Sequence, residues 1–364
     1  MKVAVLGSGA GALAVAADMS RHGRRTVMAD LDGEQKELDP VAERGGVLVA
    51  DGGRTATHPV DVAGSTTEAL AGAELAVVVA PCDVRERYAR AIAPHVTPDH
   101  TVLLLGEGGG AIVARRYIEP PTVVAETNTL PHRARATGPA TVDVTAKRGG
   151  VLVASLPAIP PDTARVMELI GDVWPQAAAT DTVWTTVLTS YDALESAATA
   201  RAADTGAAAT ATAATATAAT ATAGTDAVEA ADAELRALRQ ALFSRESRGY
   251  HDFRTTEALT QAAQAAEALT QATQATQTAE ALTPAHTHAE EVTGVEDVPG
   301  ALVLASSLGR AAGVPTPAID ALVSGAEARL GRDLTDGAPT LAALGLGGLD
   351  VTGLIGFARS GLFP

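Results

Sequence analysis

Short apolar runs punctuate the first half of the chain, each followed by a glycine, proline or polar turn and then by a stretch with helical spacing. Lys2–Leu6 runs through Gly7–Gly11 into the helical segment Leu13–Met19, and Thr26–Ala29 ends at Asp30. Leu75–Ala80 ends at Pro81-Cys82, Thr101–Leu105 runs into Gly106–Gly110, Thr122–Glu126 leads into Thr127–Arg133, and Gly150–Leu156 closes this half. Strands alternating with helices over roughly the first 150 residues predict a doubly wound parallel sheet. Beyond about residue 180 the texture turns helical. Ala301–Ala312 is an amphipathic helix, Gly313 its C-cap, Pro317 a helix starter and Ala318–Leu330 the next helix.

Two stretches are compositionally biased. Ala207–Ala223 holds only Ala and Thr between Gly206 and Gly224, and reads as a plain helix or a loop without chemistry. Glu257-Ala-Leu-Thr returns at Glu267 and Glu280 with irregular spacing, which is not a solenoid period but a solvent-facing helix or insertion.

The first turn carries the most chemistry. In Gly7-Ser8-Gly9-Ala10-Gly11-Ala12, Gly7 permits the tight turn, Gly9 lets a pyrophosphate approach the backbone, Gly11 adds slack, and Ala12 keeps helix and strand close. The diphosphate then lies at a helix N-terminus, where free N–H groups and the positive dipole end favour it. Asp30, about 20 residues on, is the expected acceptor for ribose hydroxyls. This is the start of a dinucleotide-binding Rossmann domain. A carboxylate at that place favours NAD and repels the 2′-phosphate of NADP, and Leu31-Asp-Gly-Glu34 supplies no arginine. NADP stays open through Arg24 and Arg25, which either fold back onto a phosphate or sit in a solvated turn. Ligand crevices lie at the carboxyl ends of such strands, so Pro81, Cys82 and Gly106 are candidate cofactor contacts; a plain tight turn also explains the glycines at 106–110.

Composition narrows the partners. The 364 residues suffice for two domains, and with 46% hydrophobic but only 3% aromatic residues the core is aliphatic. A net charge of −16 argues against nucleic acid and anionic membrane as partners. The single cysteine, Cys82, excludes an intramolecular disulfide and fits a reducing, cytoplasmic setting; no leader or membrane span is expected. It reads as a packing residue, since no histidine pairs with it. His286-Thr-His288 with Glu290 and Glu291 lacks further ligands at metal spacing, so no metal is expected. No Gly-x-Ser-x-Gly elbow or Walker lysine occurs, which removes hydrolase and nucleoside triphosphatase readings.

Several blocks, in this order, resemble the octopine/nopaline (opine) dehydrogenases: Gly7–Gly11, Ala125-Glu-Thr-Asn-Thr-Leu-Pro131, Glu296-Asp-Val-Pro299, Leu308–Pro317 and Leu330-Gly-Arg-Asp333. The resemblance implies a Rossmann domain over 1–180 and an all-helical substrate domain over 181–364, carrying low-complexity insertions at 199–224 and 257–283, with residues 151–180 as the bridge. It implies NAD(P)H-dependent reduction of a C=N bond formed between an amino acid or amine and a 2-oxo acid or other carbonyl. A homodimer is implied on the same ground only.

In that family a histidine early in the helical domain pairs with the aspartate of Glu-Asp-Val-Pro as the acid/base dyad. Here Asp297 is present, but Thr189-Ser-Tyr-Asp-Ala-Leu-Glu-Ser196 stands at the matching place, with Ser196 at the histidine position and Ser190 and Asp192 at two asparagine positions. Glu107 stands where members often carry an arginine. Imidazole titrates near neutrality and a serine hydroxyl does not, so the proton-transfer site is altered. Asp297, Ser196 and Asp192 are the candidate catalytic positions, with Tyr191, Glu195, His286 and His288 as substitutes. Three readings remain: hydride transfer to a preformed imine or with another proton donor, reduction of a different carbonyl substrate, or a catalytically degenerate dinucleotide- or partner-binding scaffold.

Overall fold

The computed structural model describes residues 1–204, 213–243 and 298–364. Two sheets occupy the first half. One is built from β1 (Lys2–Leu6), β2 (Arg25–Ala29), β5 (Asp61–Val62), β6 (Leu75–Val79), β7 (Thr101–Leu105), β8 (Val123–Thr127), β11 (Leu152–Ser155) and β12 (Ala178–Ala179). Its strand order is β12-β11-β8-β7-β6-β1-β2-β5. The chain direction across the sheet reverses at β1, which pairs with β2 on one side and β6 on the other, both parallel. That is the switch point at which such sheets bind ligands.

The expected parallel sheet is mixed at one seam. β11 runs antiparallel to β8, with Ala154 opposite Glu126. No helix crosses over between those two strands; the chain makes a hairpin instead and so returns in the opposite direction.

That hairpin belongs to a second sheet the apolar pattern does not announce, ordered β4-β3-β10-β9 from β3 (Gly46–Asp51), β4 (Arg54–Pro59), β9 (His132–Gly138) and β10 (Thr141–Lys147). Gly52 and Gly53, at φ 57° and 80°, make the two-residue turn between β3 and β4, a conformation at which side chains are strained. This sheet lies over α1 (Ala10–Arg21), so α1 is sandwiched between the two sheets.

The remaining helices of this half are α2 (Asp39–Arg44), α3 (Thr66–Leu70), α4 (Arg85–Ile92), α5 (Gly110–Arg115) and α6 (Pro160–Ile170). Alternation along the strands sorts the core. Val3, Val5, Val77 and Leu103 pack with α1, whereas Ala4, Leu6, Val78 and Leu104 face the opposite layer.

Helices make up the second half: α7 (Val183–Val187), α8 (Tyr191–Asp204), α9 (Ala213–Phe243), a π-helical turn over Pro299–Val303, α10 (Leu304–Ala312), α11 (Pro317–Leu330) and α12 (Val351–Ser360). The Ala/Thr tract from 213 to 223 is helical, as alanine favours. Gly313 caps α10 in the left-handed region and Pro317 starts α11. Trp184, Leu194, Leu235, Leu302, Leu308 and Leu322 belong to the same buried cluster as Leu6 and Leu104, so the helices pack directly on one face of the sheet. Among the described residues no helix is long and apolar enough to cross a membrane.

Candidate active site

The glycine turn after β1 has the expected form. Gly7 sits at φ 129°, and a Cβ there would stand 2.3 Å from the carbonyl oxygen of Val79, so the close β1–β6 approach admits only glycine. Gly9 is the N-cap of α1, exposed and extended, with no side-chain cap and open space where a Cβ would point. A helix of twelve residues therefore presents uncapped N–H groups beside Ser8, Gly9 and Ala10 at the switch point. Gly11 passes close to Leu130, and Ala12 is fully buried against the strands.

Asp30 follows β2 at the carboxyl end of the sheet and is 1% exposed. Its Oδ1 accepts the N–H of Leu31 at 2.7 Å and the hydroxyl of Tyr88 from α4. The carboxylate and the turn suit a dinucleotide, and they stand where the sequence places them. Arg24 forks onto Asp172 at 2.5 and 2.6 Å, and exposed Arg25 lies 3.7 Å from Asp61.

The loops after β6, β7 and β8 pack against the helical half. Buried Arg85 donates to the carbonyls of Ala80 and Glu107, tying the ends of β6 and β7 together. Gly106, at φ 101°, packs against that guanidinium, and its N–H donates to Thr127 Oγ1 at 3.1 Å. Gly108 meets the backbone of Gly300 and Gly109 meets Leu304, so these glycines let the π-helical turn close on the sheet. Gly300 also lies against Cys82, which is buried as a small packing residue, whereas Pro81 is exposed.

Glu107 reaches from this loop to the start of α8, where its Oε1 accepts the N–H of Asp192 at 2.8 Å and its Oε2 that of Ala193 at 2.7 Å. Asp192 in turn accepts from Thr129 and faces Arg133 at 3.3 Å and buried Arg148. Glu195 accepts from Arg133 at 2.9 Å. One turn further along α8, Ser196 is buried.

Residues 213–330 match the family model described as the NAD/NADP octopine/nopaline dehydrogenase alpha-helical domain, and residues 3–157 match ketopantoate reductase PanE/ApbA. An opine dehydrogenase of Arthrobacter sp. (strain 1C) is 28% identical over 366 residues, covering 96% of this chain and 97% of its own. Over its helical half and along nearly its whole length the chain is thus similar to octopine/nopaline and opine dehydrogenases. An octopine dehydrogenase solved with NADH and agmatine shares the fold at TM-score 0.65 and 17% identity, covering 100% of this chain and 99% of its own. A D-mandelate dehydrogenase solved with NADH and anilino(oxo)acetate reaches 0.58 at 14% identity, over 90% of this chain and 98% of its own.

The helix α8 carries Ser196 and Asp192 on one helical face, four residues apart, and Glu107 and Thr129 bring the sheet loops to the same helix. Asp297, His286 and His288 lie outside the described residues; Val298 and Gly300, just beyond Asp297, are buried beside the loop holding Glu107 and Gly108. Tyr191 is buried, with its hydroxyl 3.4 Å from Arg239 of α9, and burial pushes its phenol well above the usual tyrosine range.

One functional-type residue escaped the sequence reading. Glu126 on β8 is 1% exposed and accepts from the Ala111 N–H at 2.8 Å and from the Thr186 hydroxyl. Burial pushes its carboxyl up to about 7, against the opposing pull of those two donors and of Arg85. Its place in the Ala125–Pro131 block was legible, but its burial was not.

Proposed function

We propose that this chain is an NAD(P)H-dependent oxidoreductase of the opine dehydrogenase kind. It reduces a C=N bond formed between an amino acid or amine and a 2-oxo acid or other carbonyl, and its proton-transfer site is altered. The observation that carries the proposal is the uncapped glycine turn of α1 at the switch point of the sheet, with Asp30 at the end of the neighbouring strand β2. Supporting it, one solved relative is an octopine dehydrogenase with NADH and L-arginine and another with NADH and pyruvate.

Gly7–Ala12 would hold the pyrophosphate and Asp30 an adenosine ribose, with Pro81, Cys82 and Gly106 toward the nicotinamide end. When bound, the reduced nicotinamide supplies the hydride. The chain's own part is to place the acceptor carbon and exclude water. Asp192 pairs with Arg133 and Arg148 at the start of α8, which suits orientation of that helix. Ser196 does not supply a proton unaided. A protonated iminium formed before binding needs no acid, so the altered site favours such a substrate, with Asp297 and the 189–196 segment lining its pocket. The division at residue 180 follows the same reading, as do a cytoplasmic setting and a homodimer.

Titration of the protein with NADH and NADPH by fluorescence, followed by absorbance of the reduced nicotinamide against panels of amino acids, amines and 2-oxo acids, tests the proposal. Tight binding with substrate-dependent oxidation is the expected result. Absence of dinucleotide binding overturns it, and binding without turnover on any pair, cyclic imines included, points to a scaffold.

A further inference from the structure

Asp30 is fixed from three sides before any ribose reaches it. The Gln35 side chain brackets its backbone, donating through Nε2 to the Asp30 carbonyl at 2.5 Å and accepting the Asp30 N–H at 3.1 Å through Oε1. Two donors, the Leu31 N–H and the Tyr88 hydroxyl, converge on the same carboxylate oxygen, Oδ1. Tyr88 is 4% exposed, so its ring is packed and its hydroxyl is held in place. An oxygen with two donors has used its ordinary acceptor capacity, which directs an incoming hydroxyl to Oδ2. One residue before Tyr88 on α4, Arg87 leaves this arrangement and pairs with Glu34 of the loop after β2 at 2.7 Å, with both side chains about half exposed. Two cross-links thus join the β2 loop to α4, one buried and neutral-to-anionic, the other solvated and ionic.

We propose that this clasp sets the cofactor preference. Tyr88 is a positioning residue that presents Asp30 to an unphosphorylated ribose, and Glu34 neutralises Arg87, a cation of α4 next to Tyr88 that would otherwise meet a 2′-phosphate. The inference rests on the nicotinamide-dinucleotide reading above and goes beyond it, because it assigns selectivity to a phenol and an ion pair outside the glycine motif. A freely rotating carboxylate would spend part of its time bonded elsewhere; the phenol removes those states, so the ribose meets a preorganised acceptor. The surface pair acts differently. A cation already matched to a carboxylate contributes little to a second anion, and freeing it raises the local positive potential where the 2′-phosphate lies.

Dissociation constants of NADH and NADPH, measured by fluorescence titration on the full chain, test this for Tyr88→Phe, Glu34→Gln and Asp30→Ala. Tyr88→Phe keeps the packed ring and loses only the hydroxyl. It is expected to weaken NADH roughly tenfold, the scale of one hydrogen bond to a charged group, and to leave NADPH unchanged. Glu34→Gln, at an exposed site that does not threaten folding, is expected to tighten NADPH up to about fivefold with NADH unchanged. Equal weakening of both cofactors in Tyr88→Phe, or no change in either, overturns the positioning role, and an unmoved NADPH affinity in Glu34→Gln overturns the role of the pair. Asp30→Ala separates the two levels: if it leaves NADH affinity intact, the cofactor reading itself is wrong, whereas if it weakens NADH while the other two variants stay at the wild-type ratio, only the clasp is wrong.

Discussion

The carboxylate of Glu107 accepts the backbone N–H of Asp192 at 2.8 Å, so a loop at the end of the large sheet caps the first long helix of the helical half. The second oxygen takes the N–H of Ala193, and Glu107 is 2% exposed. A buried carboxylate on two N–H groups at a helix N-terminus is stabilised by hydrogen bonding and by the helix dipole together. Glu107 thus joins the two halves.

Glu107→Ala is expected to lower unfolding free energy by about 2 kcal/mol through loss of two charge-assisted bonds. It also loosens α8 against the loop after β7. Denaturant titration and kcat/KM measured together check this: Glu107→Gln, with one acceptor left, falls between wild type and Ala in both. A variant as stable and active as wild type refutes the capping role.

Asp18 anchors the opposite side of α1. Its carboxylate accepts from Trp174 Nε1 at 2.9 Å, lies 3.2 Å from His132 Nε2 on β9, and bonds Arg21. Burial alone would raise its pKa, but the hydrogen bond and charge of His132, with Arg21 and His22, outweigh burial and hold it at about 2. A carboxyl with a folded-state value below its ordinary 3.8 stabilises the fold above that ordinary value, and the gain disappears as pH falls toward 2. The contribution is on the order of 2 kcal/mol. Asp18→Asn is therefore expected to lose about that much at pH 7 and to show a flatter acid limb between pH 4 and 2, followed by circular dichroism. Identical acid limbs in the two proteins contradict the assignment.

Glu126 has the opposite sign. Its carboxyl is held at about 7 by burial, above the ordinary 4.5 of an unfolded chain, so the folded state keeps a proton that the unfolded state has released. Stability is greatest below about pH 4.5 on this account and falls as pH rises through 7, by roughly 3 kcal/mol in all. Glu126→Gln keeps an acceptor for the Ala111 N–H without the charge. The difference in urea midpoint between wild type and Glu126→Gln is expected to favour the variant more at pH 8 than at pH 5. A difference that does not change with pH shows that Glu126 does not titrate in this range.

The parts of this fold carried by continuous apolar runs were legible in the sequence. β1, β6, β7 and β8 are buried nearly throughout and correspond to the predicted strands within a residue or two, and Gly313 and Pro317 bound their helices as expected. The second sheet was not, because β4 is Arg-Thr-Ala-Thr-His-Pro with an almost wholly exposed pattern and offers no apolar signal; the Gly52-Gly53 pair between two extended segments was the available clue. In the site, Asp30 was placed by its spacing from the glycines. Its partner Tyr88 lies 58 residues away and Glu107 is 85 residues from Asp192, separations at which only the folded chain decides contact.

Ser196 gives the most direct test of the proposal that the proton-transfer site is altered. It is buried on α8, one helical turn beyond Asp192, in the half of the chain that the resemblance assigns to substrate. An imidazole there would titrate near neutrality and sit on the helix that Glu107 and Thr129 bring against the sheet loops. Ser196→His is expected to create or raise condensation of a free amino acid with a 2-oxo acid, by a factor of about 10²–10⁴ where proton transfer limits the rate. Reduction of preformed cyclic imines needs no such acid and is expected to change much less. The comparison is made by following NADH oxidation on both substrate types in the same preparation. Selective gain on the condensation reaction locates the lost proton donor at this position. Equal gain on both substrates, or none on either, means that the pocket around α8 has changed beyond one residue, and that Ser190 and Asp192 shape the substrate as much as Ser196 does.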